Sequence, residues 1–461
     1  MRKVSVLMAF LITGYILGIW NFLVLPKYYI NFGLKGFLVS LIPTLIALFL
    51  IYSEADSTKK TRYLIYELFF KIARTPALIF VLLMFLLVML GVTTYYSAYG
   101  LIFMFGLSNS YGYVALMIIA TVLLSAGLLV LAKGHTLEFI SVVSILFILF
   151  AIAAAFLVRG QALGAINSEQ AHLYIKEAVS SITSFGQPLS GKGILYLIVS
   201  TLVSFGLGTG VYYVIGSFSP EDLDFKKVLV GVFILQVIIS FAAAFTMAYS
   251  LGVAYEGAQR AYLNPNIPPA EALKLSIQFQ SIQQYTTNST QSPMHSIGVF
   301  YAIPQVLRGN VKNDTSLIVL LMLSLYLAGL TTIIVLMEMG SQMLSEVMQF
   351  SRTQSLGFIS LLGMVVSGAM LVHDIRTMFV VVPFAVGALV AGAEAYPLLS
   401  SELAYSRGLI GSLIAILLGI GAVTVYYAFT SPSAAVRVGA LLGLVLFVPI
   451  FLNGVLLKSR R

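Results

Sequence analysis

Ser204-Phe205-Gly206-Leu207-Gly208-Thr209-Gly210 sets three alternating glycines inside an apolar segment. The segment, read as a helix over 193–217, is long enough to cross a bilayer. Glycine weakens a helix interior by about 0.5–1 kcal/mol relative to alanine. Three within one turn therefore read as an interruption of the helix. Unwound backbone at membrane depth is tolerated where it lines a cavity, because its free amides and carbonyls need partners. Small residues in membrane helices also serve close packing, and this segment alone leaves both readings open.

The rest of the chain has the same character. Of 461 residues, 59% are hydrophobic and 9% charged, against about 25% charged in a soluble domain. That excludes a soluble enzyme, a disordered chain and a nucleic-acid-binding domain. It allows at most roughly thirteen spans of about 20 residues. The apolar runs are continuous, without the alternation of a membrane β-barrel, so the fold expected is all-α and polytopic. Twelve helices are read near 4–25, 34–53, 76–106, 112–132, 136–158, 193–217, 226–255, 315–345, 354–372, 377–400, 408–430 and 434–456. Residues 159–192 and 256–314 read as long loops. The second of these carries short helices at Ala270 to Gln284 and Ser296 to Leu307.

There is no cysteine and the net charge is +9. In a membrane protein this balance reflects Lys and Arg kept on the cytoplasmic side. Fifteen of the 26 basic residues, Arg2, Lys3, Lys59, Lys60, Arg62, Lys71, Arg74, Lys133, Lys226, Lys227, Arg352, Arg407, Lys458, Arg460 and Arg461, fall in one set of alternate loops. The expectation is a multi-pass protein of the cell membrane with both termini cytoplasmic and the two long loops outside.

The first span repeats the pattern of the sixth, with Gly14, Gly18, Asn21 and Pro26. Interruptions at matching places in two halves point to a 5+5 inverted repeat, the architecture of many secondary transporters. The division expected is a core over 1–405, built from 1–158 with helices 1–5 and 193–405 with helices 6–10, followed by helices 11–12 in 406–461. The eighth span holds Ala328-Gly329-Leu330-Thr331-Thr332. Its threonines either bond back to their own helix or offer hydroxyls to a hard cation. Carboxylates inside spans are functional candidates by default. Glu338 lies two turns from Thr331 on the same face and either lines an inner pathway or pairs with a basic residue. Glu394 precedes Pro397 in the tenth span. Glu346 is read as an inner-gate partner of Arg2 or Lys3, or as a solvated end charge. His135, His172, His295 and His373 have no metal-site spacing. No G-x-S-x-G or paired-aspartate motif points to an enzyme.

Together these segments resemble the neurotransmitter:sodium symporter family, at the distance of a prokaryotic-type sodium-dependent amino-acid transporter. Gly14-Tyr15-Ile16-Leu17-Gly18-Ile19-Trp20-Asn21-Phe22-Leu23-Val24-Leu25-Pro26 is similar to that family's first-span signature. Gly33-Leu34-Lys35-Gly36-Phe37 resembles its entry to the second span, Ser204 to Gly208 its sixth-span break, and Ala328 to Thr332 its eighth-span motif. Tyr95-Tyr96 resembles its third-span tyrosine pair.

The resemblance implies one sodium site from Gly14, Leu17, Ala328, Thr331 and Thr332. It implies a solute pocket from Ile19, Trp20, Val92, Tyr96, Ser204, Leu207, Thr332 and Leu336. A second, weaker sodium site would use Ile16, Asn21 and Ser250, with Leu202 where the family has a threonine. Ala254 stands where the family has a charge-compensating residue, so no chloride is expected. Val24 replaces the outer-gate arginine and no aspartate lies near Thr377, which leaves an apolar or Arg376-based closure. Arg2, Glu338 and Glu346 remain for an inner gate or a proton site. Trp20, the only tryptophan, takes a position that is glycine in the family. The function expected is sodium-coupled symport of a small organic solute, an amino acid or related amine, by alternating access. The rival is a sodium-independent or proton-coupled carrier of the same fold. The partners expected are solute, sodium ion and lipid, with no nucleic acid.

Overall fold

In hydrocarbon every backbone N–H and C=O has to be satisfied within the protein, and a helix does this within one segment. The computed structural model of the chain describes residues 3–131, 135–185, 188–403 and 405–458, with side chains at all but 294, 295 and 401. Arg2, Lys133, Arg460 and Arg461 lie outside that set, as does the side chain of His295. The described residues form helices and turns and no strand.

Ten helical segments are long and apolar enough to cross a membrane: Lys3–Leu23, Pro26–Thr61, Ala77–Met104, Tyr111–Leu131, Thr136–Ala165, Phe225–Leu263, Asp314–Met348, His373–Leu399, Arg407–Phe429 and Ala434–Lys458. Two of the twelve segments expected from sequence fall short of that standard. The sixth is split into Gly191–Ser204 and Val211–Phe218. The ninth is Arg352–Ala369, a helix of 18 residues.

The second segment is two helices joined at a kink. Gly33 sits at φ 59°, ψ −145° inside it. A Cβ there would run into the carbonyls of Ser181 and Ser184, and Leu34 N donates to Ser184 O at 3.0 Å. Only glycine combines that φ with that approach. Pro26 to Phe32 thus belongs with the second half of the first span, and the second span proper starts at Leu34.

The two long connections are more ordered than expected. The fifth helix continues to Ala165 and the seventh to Leu263. Within 159–192, Glu169–Thr183 is an amphipathic helix that buries Ala171, Ile175, Ala178 and Ile182. Those positions follow the 3–4 spacing of one helix face, and Ser168 caps the start by accepting from Ala171 N at 3.2 Å. Composition hid this helix, because its exposed face is as polar as a loop. Within 256–314, helices at Pro269–Thr287 and Ile303–Leu307 stand close to where they were expected.

Enclosure separates centre from rim. At least 78% of the most apolar stretch is buried in the first, third, eighth and tenth spans, against 17% in the twelfth. The eighth packs along the third and fifth, and the first against the fifth and eighth. The first span thus meets the well-shielded eighth, and the two halves of the sixth meet the tenth and the eighth.

Candidate functional site: two helix breaks at the centre of the bundle

The first span breaks between Ile16 and Trp20. Gly18 N donates to Tyr15 O, and Asn21 N to Gly18 O at 3.2 Å, so Leu17 O is bypassed by the regular ladder. The amides of Ile19 and Trp20 donate to no carbonyl among the described residues. Gly14 O receives the Thr331 hydroxyl at 3.1 Å, and the same hydroxyl reaches Ala328 O at 2.9 Å. Thr332 Oγ1 donates to Ala328 O at 3.1 Å. Four of the five residues expected to hold sodium therefore converge across two spans. They are hard, uncharged oxygens, the donor type that suits an alkali cation beside an unwound helix. Leu17 adds a carbonyl outside the ladder. Ser144 of the fifth span, whose hydroxyl donates to Ile140 O at 2.7 Å, lies against Gly14 and had no signal in the sequence.

The sixth span breaks at the quoted motif. Gly206, Gly208 and Gly210 have φ of 67°, 91° and 71°. A residue with a Cβ pays roughly 1–2 kcal/mol for each such conformation. Tyr15 ties this break to the first: its hydroxyl meets Thr209 Oγ1 at 2.9 Å and Gly206 O at 3.3 Å. Tyr212 donates to Phe205 O. The freed amides of Gly208 and Gly210 donate to the two carboxyl oxygens of Glu394, the latter at 2.6 Å. Glu394 is thus the counterpart that lets the break exist in a dry setting.

The residues expected to line a solute pocket are all buried. Trp20 donates its indole N–H to Thr93 Oγ1 at 3.1 Å and meets Phe384 edge-on at 6.2 Å. Ile19 reaches Gly329, and Thr332 lies against Gly18. Tyr96 stacks on Tyr301, which donates to the Tyr96 carbonyl at 2.6 Å. Val92, Leu207 and Leu336 complete an apolar set. Ser204 Oγ donates to Thr201 O at 2.8 Å.

The second ion site expected from sequence takes a different form. Asn21 Nδ2 donates to Ile16 O at 2.6 Å, and its Oδ1 accepts from Gln236 Nε2 at 3.1 Å. The same amide reaches Ser204 Oγ at 3.4 Å. Ser250 lies fourteen residues further along the seventh helix and donates back to Thr246 O at 2.8 Å. Gln236, not Ser250, is the seventh-span partner of Asn21. Ser250 rests on the resemblance alone, and at a rise of about 1.5 Å per residue it stands about 21 Å along the helix from Gln236.

At one end of the bundle, Arg376 donates to Tyr95 Oη at 2.5 Å, lies over the Tyr95 ring and touches His373 Nδ1 at 2.8 Å. Tyr95 is part of a cluster of touching rings with Tyr96, Tyr99, Phe103 and Tyr301. At the N-terminal end, Lys3 pairs with Glu138, and Ser5 donates to Asp222 at 2.5 Å. Glu346 accepts from Tyr66 N at 3.0 Å, so the expected pairing with Lys3 is not made, and Arg2 lies outside the described residues. Glu338 pairs with Arg352 at 2.8 Å. That pair borders a cavity of about 220 Å³ shared by Met8, Leu11, Ile140, Ile215 and Ile334.

No known family profile matches the sequence, and no curated protein matches it. Among solved structures, MhsT in complex with L-phenylalanine aligns over 98% of this chain and 98% of its own, with a TM-score of 0.58 at 13% identity. The chain has the LeuT fold. Within that LeuT fold, the residues of this chain that meet at the two breaks are its own, and identity at this level extends the likeness to architecture alone. Sequence reasoning missed Gln236 and Glu54 of the second span. Glu54 is fully buried, in a segment whose neighbours Asp56, Lys59 and Lys60 made it read as a solvated loop.

Proposed function

We propose that this protein carries a small organic solute across the cell membrane together with one sodium ion, by alternating access, with both termini cytoplasmic. The observation that carries the reading is the convergence of Gly14 O, Ala328 O and Thr331 Oγ1 at 2.9–3.1 Å beside an interrupted helix. Such a cluster has value to a membrane protein as a cation cradle, since unwound backbone in hydrocarbon otherwise costs stability. Sodium held by Gly14, Leu17, Ala328, Thr331 and Thr332 would bridge the first and eighth spans and favour one conformation by differential affinity.

An amino acid or related amine is the solute class we favour. MhsT was solved with L-phenylalanine, and the free amides of Ile19 and Trp20 suit a carboxylate. Ile19, Trp20, Val92, Tyr96, Ser204, Leu207, Thr332 and Leu336 would line the pocket. The Gln236 amide donates to Asn21 Oδ1, a place where a second cation would need a free oxygen. That favours one ion rather than two, and the reading includes no chloride and no enzymatic activity.

Purified protein in liposomes, screened with radiolabelled amino acids, tests the reading. Uptake should follow an inward sodium gradient and stop when choline replaces sodium. A second reading, a sodium-independent or proton-driven carrier, draws on the buried Glu54 and Glu394. Uptake that ignores sodium but follows an imposed pH gradient would select it.

A further inference from the structure

Glu54 and Glu394 are both fully buried, one in the second span and one in the tenth. Neither carboxyl oxygen of Glu54 has a hydrogen-bond partner among the described residues. Both oxygens of Glu394 have one, the amides of Gly208 and Gly210. One seam brings the two glutamates together. Tyr213 donates to the main-chain oxygen of Glu394 at 2.9 Å. Gly216, one turn later on the same face, lies against the carbonyl of Ala55.

The titratable groups along this seam are Tyr15 of the first span, whose hydroxyl meets Gly206 O, and Tyr212 and Tyr213 of the sixth, while Tyr405 beyond the tenth donates to Ser53 O at 3.2 Å. Asp56, the nearest further carboxylate in sequence, is engaged by Lys60 at 2.6 Å and by the Tyr405 hydroxyl at 2.8 Å. Among the described residues, no Lys, Arg or His forms an ion pair with Glu54 or Glu394.

Two dry carboxylates without a cation are not a stable arrangement, and such groups neutralise instead. The hydrogen bonds say which one does. An ionised carboxylate is acceptor-only and is satisfied by N–H donors, which describes Glu394. We propose that Glu54 and Glu394 form a binding site for a single proton, carried on Glu54, while Glu394 stays ionised and holds the sixth-span break. The site does not depend on what is transported. Raising the pH removes the proton from Glu54 to water and leaves two like charges in the seam. Folding then involves proton uptake, because an unfolded glutamate releases its proton at about pH 4.3, so stability falls as the pH rises from there and levels off once folded Glu54 has lost the proton. Glutamine at 54 keeps the neutral shape and removes that dependence.

Infrared spectroscopy of the full chain in lipid nanodiscs, with no solute added, tests the site. At neutral pH the protein should show a protonated-carboxyl carbonyl band that shifts with ¹³C-glutamate labelling. The band should vanish in Glu54→Gln and persist in Glu394→Gln. The thermal unfolding temperature of wild type should fall as the pH rises from about 4.3, where an unfolded glutamate ionises, and level off once the band is lost, and that fall should be absent in Glu54→Gln. Absence of the band in labelled wild type, or its survival in Glu54→Gln, overturns the proposal. Should either variant fail to fold, the labelled wild type decides alone: a band lost in a single-proton transition at the pH where the fall in stability levels off supports the site, and any other result overturns it. Loss of sodium dependence in uptake would refute the sodium reading and leave this band unaffected.

Discussion

Alanine at Gly208 and alanine at Gly231 should shift stability in opposite directions. Gly208 has φ 91°, and a Cβ there would meet Phe85 Cε1 at 3.0 Å and Val390 Cγ1 at 3.1 Å. Both neighbours are buried and have little room to retreat. The backbone conformation costs a side chain about 1–2 kcal/mol, and overpacking adds about 1–3 kcal/mol. Gly208→Ala should therefore destabilise by about 2–5 kcal/mol. Gly231 lies inside the seventh helix with nothing within 4 Å of a Cβ. Gly231→Ala should stabilise by about 0.5–1 kcal/mol, the helix-interior difference between the two residues. Thermal unfolding in nanodiscs, followed by fluorescence, provides the assay. Trp20 is the only tryptophan and sits beside the first break, so the signal reports the centre of the bundle. Equal shifts for the two variants, or a neutral Gly208→Ala, would mean that the sixth span is not held in a left-handed conformation there.

Three further outcomes follow from the same contacts. Thr331→Val keeps the side-chain shape but removes the hydroxyl from Gly14 O; sodium should stabilise wild type by about 2.7 kcal/mol at a hundredfold excess over its Kd, and the variant should lose that increment in a sodium-against-choline thermal shift. Gln236→Leu leaves Asn21 Oδ1 and Ser204 Oγ without their amide donor and should cost about 1–3 kcal/mol; an unchanged denaturation midpoint would show that water replaces the amide. Arg376→Gln removes a charged donor from Tyr95 Oη, worth about 1.5–3 kcal/mol, so under the Arg376-based closure that the resemblance implies, the closed state should lose roughly tenfold or more in population. The chain has no native cysteine, so a Val92→Cys reporter can read this as faster maleimide labelling, and an unchanged rate would remove Arg376 from the closure.

Much of the path to these contacts was legible along the chain. Apolar runs about twenty residues long have one solution in a bilayer, so the helices and their order follow from local chemistry. The breaks follow too. Alternating glycines at 206, 208 and 210 adopt positive φ because nothing else in the set of residues does so at low cost. The eighth-span threonines were read both as bonding back to their helix and as offering hydroxyls outward, and Thr331 does both at once, to Ala328 O and to Gly14 O.

Partnership between distant segments was decided elsewhere. Glu394 meets residues 184 and 186 positions away, and Gln236 meets Asn21 across 215. No periodicity encodes such a pairing, because a helix face is fixed by sequence while its neighbour is fixed by how whole helices pack. The same limit explains Glu54, polar by its local company and dry only once the sixth and tenth spans close over it. The sequence by itself determined the apolar spans and the interruptions at 14–18 and 206–210, but not the amphipathic helix Glu169–Thr183. Tertiary structure alone determined which carboxyl, amide or hydroxyl answers each interruption, since burial and proximity belong to the packed bundle and to no single span.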